Sequence, residues 1–166
     1  MLVDEPDFDV RYTEAADGAS MRRWLLDPKI VREFPLSGEK ELEAFLPNWL
    51  GFYRFKCSLT ATYKDSVIGV GTLLLMPYKK LVHHCLSYLV VDPEYQQKGV
   101  GSALMRNMKH LAKDYFKFES LYCEFYSGSP IEGLLKKQGF EEVVRQEKFV
   151  KDKDGYRARV LMEARL

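Results

Sequence analysis

The chain has almost no excess of charge of either sign. Its 25 Lys and Arg residues nearly balance its 24 Asp and Glu residues, so the net charge of the 166 residues is +1. A protein built mainly to hold nucleic acid carries a strong basic excess, so this composition argues against that class. We expect no nucleic-acid partner, although a local basic patch would still be compatible with the composition.

Long apolar runs are missing as well. No stretch approaches the roughly 20 apolar residues that a membrane-spanning helix needs. The first nine residues are acidic, whereas a secretory signal begins with basic and then apolar residues. The sequence therefore predicts neither a signal peptide nor a membrane partner.

Cysteine is scarce. The three cysteines, Cys57, Cys85 and Cys123, are odd in number, far apart and each embedded in a strand-like run. This spacing excludes a disulfide framework and matches no zinc-ligand pattern. We expect buried free thiols, no metal site and a cytoplasmic protein, because the cytoplasm keeps thiols reduced.

What is present is the composition of an ordinary soluble protein, with 46% hydrophobic and 30% charged residues. A length of 166 residues favours one domain with a substantial core. No internal repeat, linker or low-complexity segment divides the chain. We expect residues 1–166 to form a single domain, with residues 1–8 as a loose lead-in.

The most informative stretch is residues 86–104. Residues 86–91 form an apolar, aromatic and β-branched run, which predicts a strand buried on both faces. Asp92-Pro93 ends this strand, because proline cannot donate to the next ladder bond. From Gly99 the apolar period changes to that of an amphipathic helix. The predicted buried face of this helix comprises Val100, Leu104, Met108, Leu111 and Tyr115.

The start of this helix predicts a phosphate site. Gly99 and Gly101 would let a ligand approach the backbone closely. A helix start also offers N–H groups without intrahelical partners and the positive end of the helix dipole. Together these features are typical of an anion-binding site. Ordinary turn-and-packing glycines are the alternative interpretation of both positions.

The remaining segments complete the predicted topology. Three strands with short connections favour an antiparallel meander, and the strand–helix–strand unit after it implies a parallel crossover. A third helix is predicted to be capped by Ser37 and interrupted or kinked at Pro47, and Gly139 is a natural C-terminal cap for the last helix. The predicted strands are 9–13, 57–63, 67–76, 81–91, 121–126, 140–150 and 156–166. The predicted helices are 21–26, one from 37, 99–116 and 131–138, with a further short segment at 30–34.

The pattern Gln96-x-x-Gly99-x-Gly101 follows a strand that ends Val90-Val91-Asp92-Pro93. It resembles the acetyl-CoA signature, Gln/Arg-x-x-Gly-x-Gly/Ala, of the GCN5-related N-acetyltransferases, the GNAT family. The order of predicted elements is similar to that family from about residue 10 to residue 166. The resemblance is nearest to bacterial members that acetylate amino acids, polyamines or protein amino termini.

This resemblance implies an α/β (α+β) fold with a mixed, mostly antiparallel seven-stranded sheet and about four helices. Gly139-Phe140, followed by a closing hairpin, resembles the C-terminal half of the family. The implied activity is that of an acetyl-CoA-dependent N-acetyltransferase. It would move an acetyl group to a primary amine of a small molecule or a protein N-terminus by direct attack on the thioester. The resemblance also implies that a homodimer could form through the C-terminal hairpin.

The resemblance also assigns a coenzyme site. In the family, the strand before the signature splays from the next parallel strand, which leaves backbone groups free for the amide-rich pantetheine arm. Here the backbone of residues 89–91 would meet that arm, and amides of residues 97–102 would hold the pyrophosphate. The implied coenzyme-binding residues are Leu89, Val90, Val91, Gln96, Gln97, Lys98, Gly99, Val100, Gly101 and Ser102.

A dinucleotide-binding fingerprint is a poorer match. The stretch from Gly99 supplies only two of the three glycines, and seven residues separate Val91 from Gly99. The preceding meander also disagrees with an alternation of strands and helices.

The chain departs from the family at the positions that carry acid–base chemistry. Many members have a Tyr four residues before the Gly-Phe pair, an Asn near the start of that helix, and some a Glu in the strand before the signature. Here these positions are Leu135, Ser129 and Cys85. The departures leave open a second class of function, an acyl-CoA-binding regulator with weak or no catalysis.

Three side chains are candidates to replace the missing groups. Glu124 shares one strand face with two tyrosines, although a hydrogen-bonded structural pair would explain it equally well. Tyr126 is the candidate acid, because it ends the strand next to the expected splay. His84 is the candidate base, ranked slightly above His83, and its ordinary pKa suits that role.

Overall fold

Seven strands form one mixed sheet in the computed structural model of the protein, which describes residues 8–166. The strands are β1 (Phe8–Tyr12), β2 (Ser58–Tyr63), β3 (Ser66–Leu74), β4 (His84–Val91), β5 (Ser120–Tyr126), β6 (Glu141–Asp152) and β7 (Gly155–Arg165). Their spatial order is β1-β2-β3-β4-β5-β7-β6. Only β4 and β5 run parallel, and the other five pairs of neighbours are antiparallel. The predicted mixed sheet, its meander and its parallel crossover are therefore confirmed.

Within residues 8–166, five α-helices cover this sheet, where about four were predicted. They are α1 (Gly18–Leu25), α2 (Pro28–Val31), α3 (Glu39–Leu50), α4 (Val100–His110) and α5 (Ile131–Lys137). None of the helices formed by residues 8–166 is long and apolar enough to cross a membrane. The predicted lead-in lies outside the described residues, except for Phe8, which is the first residue of β1.

Helix α3 differs from the prediction at its N-cap, and it is not interrupted at Pro47. Its N-cap is Gly38, and the backbone N–H of Ser37 donates to Oε2 of Glu41 at 2.7 Å, so Ser37 does not cap the helix. Pro47 lies inside α3 without ending it. A proline costs ladder hydrogen bonding, but the buried apolar face of α3 holds the helix together through Trp49.

The long helix after the glycines also differs from the prediction, because its last turn is not α-helical. Val100, Leu104 and Met108 are at most 1% exposed, as predicted, but Tyr115 is 64% exposed, so its prediction was wrong. The cause is a π-helical turn at Leu111–Tyr115, closed by a hydrogen bond from Phe116 N to Leu111 O at 3.1 Å. Ala112, four residues after Met108, is fully buried and continues the core face, whereas Tyr115 at the end of the wider turn lies off that face.

The two faces of the sheet carry separate apolar clusters. Helices α4 and α5 cover one face, where Cys85 and Cys123 lie in the larger cluster. Helices α1 to α3 cover the other face together with Val90 and Tyr88. All three cysteines are free and buried, which confirms that expectation. Strand β4 therefore turns alternate side chains to each cluster, as a strand buried on both faces must.

Candidate active site

Strands β4 and β5 separate before either of them ends. Their parallel pairing begins at His84 with Ser120 and stops at Ser87 with Cys123. Beyond that point β4 remains paired with β3 as far as Val91, and β5 remains paired with β7 as far as Tyr126. The facing edges of residues 88–91 and 124–126 are therefore not paired with each other. The expected splay is present in the structure.

The hydrogen-bond alternation along β4 shows which backbone groups face this gap. Asp92 N donates to Ile68 O at 2.8 Å, so even-numbered residues of β4 face β3. Glu119 N donates to His83 O at 2.7 Å, so odd-numbered residues face β5. Leu89 and Val91 therefore present their N–H and C=O groups to the gap.

The prediction for the backbone of Val90 needs correction for the same reason. Its register partner is Val70 of β3, and the alternation directs its N–H and C=O groups toward that strand. Gln96 supports the end of β4 instead, because its Nε2 donates to Val91 O at 3.3 Å. The conspicuous glutamine of the signature thus fixes the strand end beside the gap.

The start of α4 leaves a row of free amides. Its N-cap is Gly99 in the left-handed region at φ 87°, and Gln97 also has a positive φ of 59°. The first ladder bond runs from Ala103 N to Gly99 O at 3.0 Å. The amides of residues 100–102 precede that bond and have no intrahelical acceptor. They lie at the positive end of the helix dipole and can hold an anion.

The two glycines of the signature are required for different reasons, one for its backbone conformation and the other for its packing. Gly99 requires glycine because of its left-handed backbone, and open space surrounds the position of a Cβ there. A Cβ on Gly101 would lie 2.7 Å from Cδ1 of Leu134 in α5. The turn-and-packing interpretation therefore fits both positions, with Gly99 as a turn glycine and Gly101 as a packing glycine against a neighbouring helix.

One cavity of about 650 Å³ joins the gap to the helix start. It extends from the signature past the splayed ends of β4 and β5 to the segment after α2, and the first turns of α5 form another wall. The predicted coenzyme residues that line it are Leu89, Val90, Val91, Gln96, Gln97, Gly99, Gly101 and Ser102. Its volume is in the range of small-molecule sites.

Two of the predicted coenzyme residues do not line this cavity. The side chain of Val100 is 1% exposed and belongs to the core. The Nζ of Lys98 lies over the ring of Tyr95, 5.3 Å from its centroid. For Val100, only the main-chain amide remains available for a ligand. The cation that does line the cavity is Lys137, in the last turn of α5.

Sequence reasoning missed Lys137 as a site residue. It lies three positions after Leu134, another cavity residue, so both share one face of α5. The three-residue spacing of Leu134 and Lys137 was the feature of the sequence that could have identified Lys137 as a site residue.

Glu124 lies on the cavity wall in an ion pair with Arg159. Its Oε2 accepts from Nη2 of Arg159 at 2.9 Å, and both side chains are partly buried, at 21% and 29% exposed. The hydrogen-bonded pair considered as an alternative for Glu124 therefore exists. Among residues 8–166 no hydrogen bond reaches the other carboxylate oxygen, so one oxygen is anchored while the second keeps its acceptor capacity.

Two tyrosines flank this carboxylate. Tyr126 is 4% exposed, and burial, with the nearby charge of Glu124 as a second cause, raises its pKa above the ordinary value. The same two causes in the same order raise the pKa of Tyr88. Both phenols therefore keep their protons at neutral pH and are hydrogen-bond donors. Tyr88 was not predicted as a site residue, although its place two residues before Val90 puts it on the same face of β4.

His84 does not reach the cavity, which corrects its assignment as a catalytic base. It pairs with Ser120 at the beginning of β4, whereas the cavity begins at Ser87. Its ring packs edge-on against Tyr122 at 5.5 Å between centroids and against His83 at 4.6 Å. Four residues of strand separate it from Tyr88, a distance of roughly 13 Å.

The three positions where the chain departs from the family cannot restore the missing groups. Leu135 is fully buried, and burial raises the pKa of the Cys85 thiol to about 12. Ser129 lines the cavity, where its Oγ accepts from Ile131 N at 3.4 Å at the start of α5. The carboxylates and phenols that line the cavity, Glu33, Glu124, Tyr88 and Tyr126, are therefore the candidates for its acid–base chemistry.

Comparison with known proteins gives consistent results. Residues 19–140 match the family model described as "Acetyltransferase (GNAT) family". An N-alpha-acetyltransferase of Sulfurisphaera tokodaii is 33% identical over 76 residues, which are 45% of this chain and 45% of that protein. The chain therefore matches less than half the length of this relative.

Two solved structures share the fold over nearly their whole length. The ribosomal-protein-alanine N-acetyltransferase from Brucella melitensis is 18% identical with a TM-score of 0.78, and the match covers 95% of this chain and 99% of that one. The Salmonella typhimurium protein yncA, solved with its cofactor acetyl-CoA, is 14% identical with a TM-score of 0.79, covering 96% and 94%.

Proposed function

Because the chain belongs to the GNAT family of acetyltransferases, we propose that it moves the acetyl group of acetyl-CoA to a primary amine. One observation carries this proposal. The unpaired edges of β4 and β5 and the free amides at the start of α4 open into the same cavity. An elongated ligand with amides at one end and phosphates at the other matches this order of groups.

The cavity residues fit coenzyme A in three respects. The backbone groups of Leu89 and Val91 can pair with the amides of the pantetheine arm. The amides of residues 100–102 suit the diphosphate, and Lys137, which also lines the cavity, can add a positive charge for a phosphate. When bound, acetyl-CoA would supply the activated acetyl thioester.

We assign the role of base to Glu124. An alkyl amine with a pKa near ~10.4 is mostly protonated at neutral pH, so the site must remove a proton before the amine can attack. The carboxylate of Glu124 lies on the cavity wall and is anchored by Arg159 through one oxygen. The oxygen without a partner among the described residues is the one we assign to the acceptor amine.

We assign the role of acid to Tyr126. Its raised pKa keeps the phenol protonated, and a protonated phenol can donate to the departing thiolate. Tyr88 lines the same cavity with the same direction of shift and is the second candidate for this role.

The acceptor that we propose first is the free N-terminus of a peptide or protein. The names of the Sulfurisphaera and Brucella relatives support this choice. Free amino acids and polyamines are the alternative acceptors.

A release assay for the free thiol of coenzyme A tests the proposal. Acetyl-CoA would be incubated with a tetrapeptide that has an N-terminal alanine, with free alanine and with spermidine. We expect thiol release above the rate without acceptor for at least one amine, and most strongly for the tetrapeptide. If no amine raises thiol release above that background, the proposed activity is wrong.

A binding protein without turnover is the second candidate function. The complete burial of Leu135 and the buried thiol of Cys85 favour it, because neither can act as an acid or base at neutral pH. Calorimetric binding of acetyl-CoA together with no thiol release for any amine would support this candidate over the first.

The proposal extends to the domain organisation, cellular location and oligomeric state of the protein. We propose that residues 8–166 act as one N-acetyltransferase domain, located in the cytoplasm, where the three buried free thiols would stay reduced. A homodimer through β6 and β7 stays a prediction.

A further inference from the structure

Each of the three guanidinium nitrogens of Arg157, in β7, donates to an acceptor in another segment of the chain. Its Nε donates to Ser127 O at 3.1 Å, and its Nη1 donates to Arg32 O at 2.6 Å. Its Nη2 is 3.3 Å from both carboxylate oxygens of Glu33. The side chain is only 11% exposed, and Glu33 is 21% exposed. A planar guanidinium can serve donors in several directions at once in this way.

These contacts join two sides of the cavity. Residues 30–35 form what we call the acceptor wall, which lines the cavity with Ile30, Glu33, Phe34 and Pro35. Ser127 directly follows Tyr126 at the end of β5, and the guanidinium of Arg157 lies 5.6 Å from the centroid of the Tyr126 ring. Arg157 thus bridges the acceptor wall and the assigned acid.

The hydrogen bonds and the ion pair of Arg157 are the polar contacts that attach the acceptor wall to β5 and β7. Within residues 8–166, no other hydrogen bond or ion pair joins residues 28–36 to either strand. On its other side the wall is held by apolar packing. Ile30 is buried, and the Phe34 ring lies 5.5 Å from Trp49 and 6.2 Å from Tyr88 between centroids.

We propose that Arg157 is a positioning residue that sets the acceptor side of the cavity. It acts through Arg32 and Glu33, and the inference rests on the proposed function. Without the guanidinium, the wall keeps its apolar anchor but loses its fixed distance to β5. Binding of an acceptor must then order the wall, which weakens acceptor binding while the coenzyme end stays unchanged.

Hydrogen–deuterium exchange of the amides tests the bridge directly. Arg157→Gln should speed exchange at Ile30, Val31, Glu33 and Phe34 by roughly tenfold and leave α4 unchanged. The matched control is Arg145→Gln, which removes another Arg–Glu pair, 2.7 Å long and exposed on β6. Unchanged exchange in the acceptor wall would overturn the proposal.

Kinetics separate positioning from general stability. With the alanyl tetrapeptide as acceptor, Arg157→Gln should raise the acceptor KM about fivefold or more, with kcat within about twofold and the KM for acetyl-CoA unchanged. Arg157→Lys should not restore the acceptor KM, because an ammonium cannot reach Ser127 and Glu33 together. If Arg157→Gln folds poorly, Glu33→Gln removes the ion pair while Arg157 stays in place and should also raise the acceptor KM.

The outcomes distinguish this inference from the proposed function. Faster exchange with an unchanged acceptor KM would mean that Arg157 is only structural, and would overturn the proposal. If the unmodified protein acetylates no amine, the proposed function fails on its own, and the exchange data still decide whether Arg157 holds the acceptor wall.

Discussion

The two ends of the cavity are built from different parts of the chain. In the proposed function, the ligand-facing groups at the coenzyme end are main-chain N–H and C=O groups of Leu89, Val91 and residues 100–102. At the acceptor end they are side chains, above all Glu124 and Tyr126. A main-chain site tolerates many side chains, provided that the backbone keeps its path. A side-chain site fails when one functional group is removed. Substitutions at the two ends should therefore have different sizes and different kinetic signatures.

Glu124→Gln should have the largest effect, because it removes the assigned base and keeps the shape of the side chain. We expect kcat to fall by about 10²–10⁴ with little change in the affinity for acetyl-CoA. Steady-state kinetics and calorimetry with acetyl-CoA would measure the two quantities. Glu142→Gln on β6, which also loses an arginine partner but lies outside the cavity, is the control. If Glu124→Gln lowers the affinity for acetyl-CoA as much as it lowers kcat, the two ends of the cavity do not have separate roles.

Tyr126→Phe should have the next largest effect, because it removes the assigned acid alone. A decrease of about 10²-fold in kcat is expected. Since burial raises the pKa of Tyr126 above its ordinary value of 10, the unmodified protein should lose activity with rising pH only beyond that value. A kcat profile measured against pH would show this alkaline decline, and the variant should lack it. An identical decline in the variant would assign it to another group, with Tyr88 tested next.

Gly99→Ala should act on the coenzyme end through the backbone. A non-glycine residue in the left-handed region costs roughly 1–2 kcal/mol, and relief of that strain would move the amides that follow. We expect affinity for acetyl-CoA to fall about tenfold, with kcat at saturation nearly unchanged.

Gly101→Ala separates backbone conformation from packing. Its Cβ would press on the flexible end of Leu134, so the expected result is mainly a lower Tm. Calorimetry and thermal melting of both variants make the comparison. Equal losses of affinity in the two variants would contradict the different roles of the two glycines.

Lys137→Gln should have the smallest effect, because its charge supplements the main-chain amides. An exposed ion pair contributes 0.2–1 kcal/mol, so the affinity for acetyl-CoA should fall by up to about fivefold, and less at high salt. The control is Lys136→Gln, the neighbouring lysine, which pairs with Glu132 at 3.1 Å. An equal loss in the control would mean that Lys137 has no specific role.

The same contrast explains how much could be predicted from the sequence. The strand end at Asp92-Pro93 and the helix start at Gly99 are local features, so both could be predicted from the sequence, whereas the coenzyme contacts of residues 89–102 stay a prediction. The direction of the Val90 backbone groups could not be predicted, because it depends on the register of β4 with β3. The predicted buried face of the helix after Gly99 was wrong at Tyr115, because a π-helical turn changes the helical period there.

The acceptor end depends on contacts between distant segments. Arg159 lies 35 residues after Glu124, and Arg157 lies 124 residues after Glu33. No local pattern reveals such pairs. His84 was chosen because histidine often acts as a base, and its distance along β4 from the splay excluded it only when the end of the β4–β5 pairing was known.

The most direct measurement of the central claim is a titration of the ¹⁵N-labelled protein with coenzyme A, followed by the chemical shifts of backbone amides. If the main chain holds the coenzyme, the amides of Val100, Gly101 and Ser102 should shift most, together with those of Leu89 and Val91, while those of β6 stay unchanged. Shifts confined to another surface, or none at saturating coenzyme A, would contradict the account.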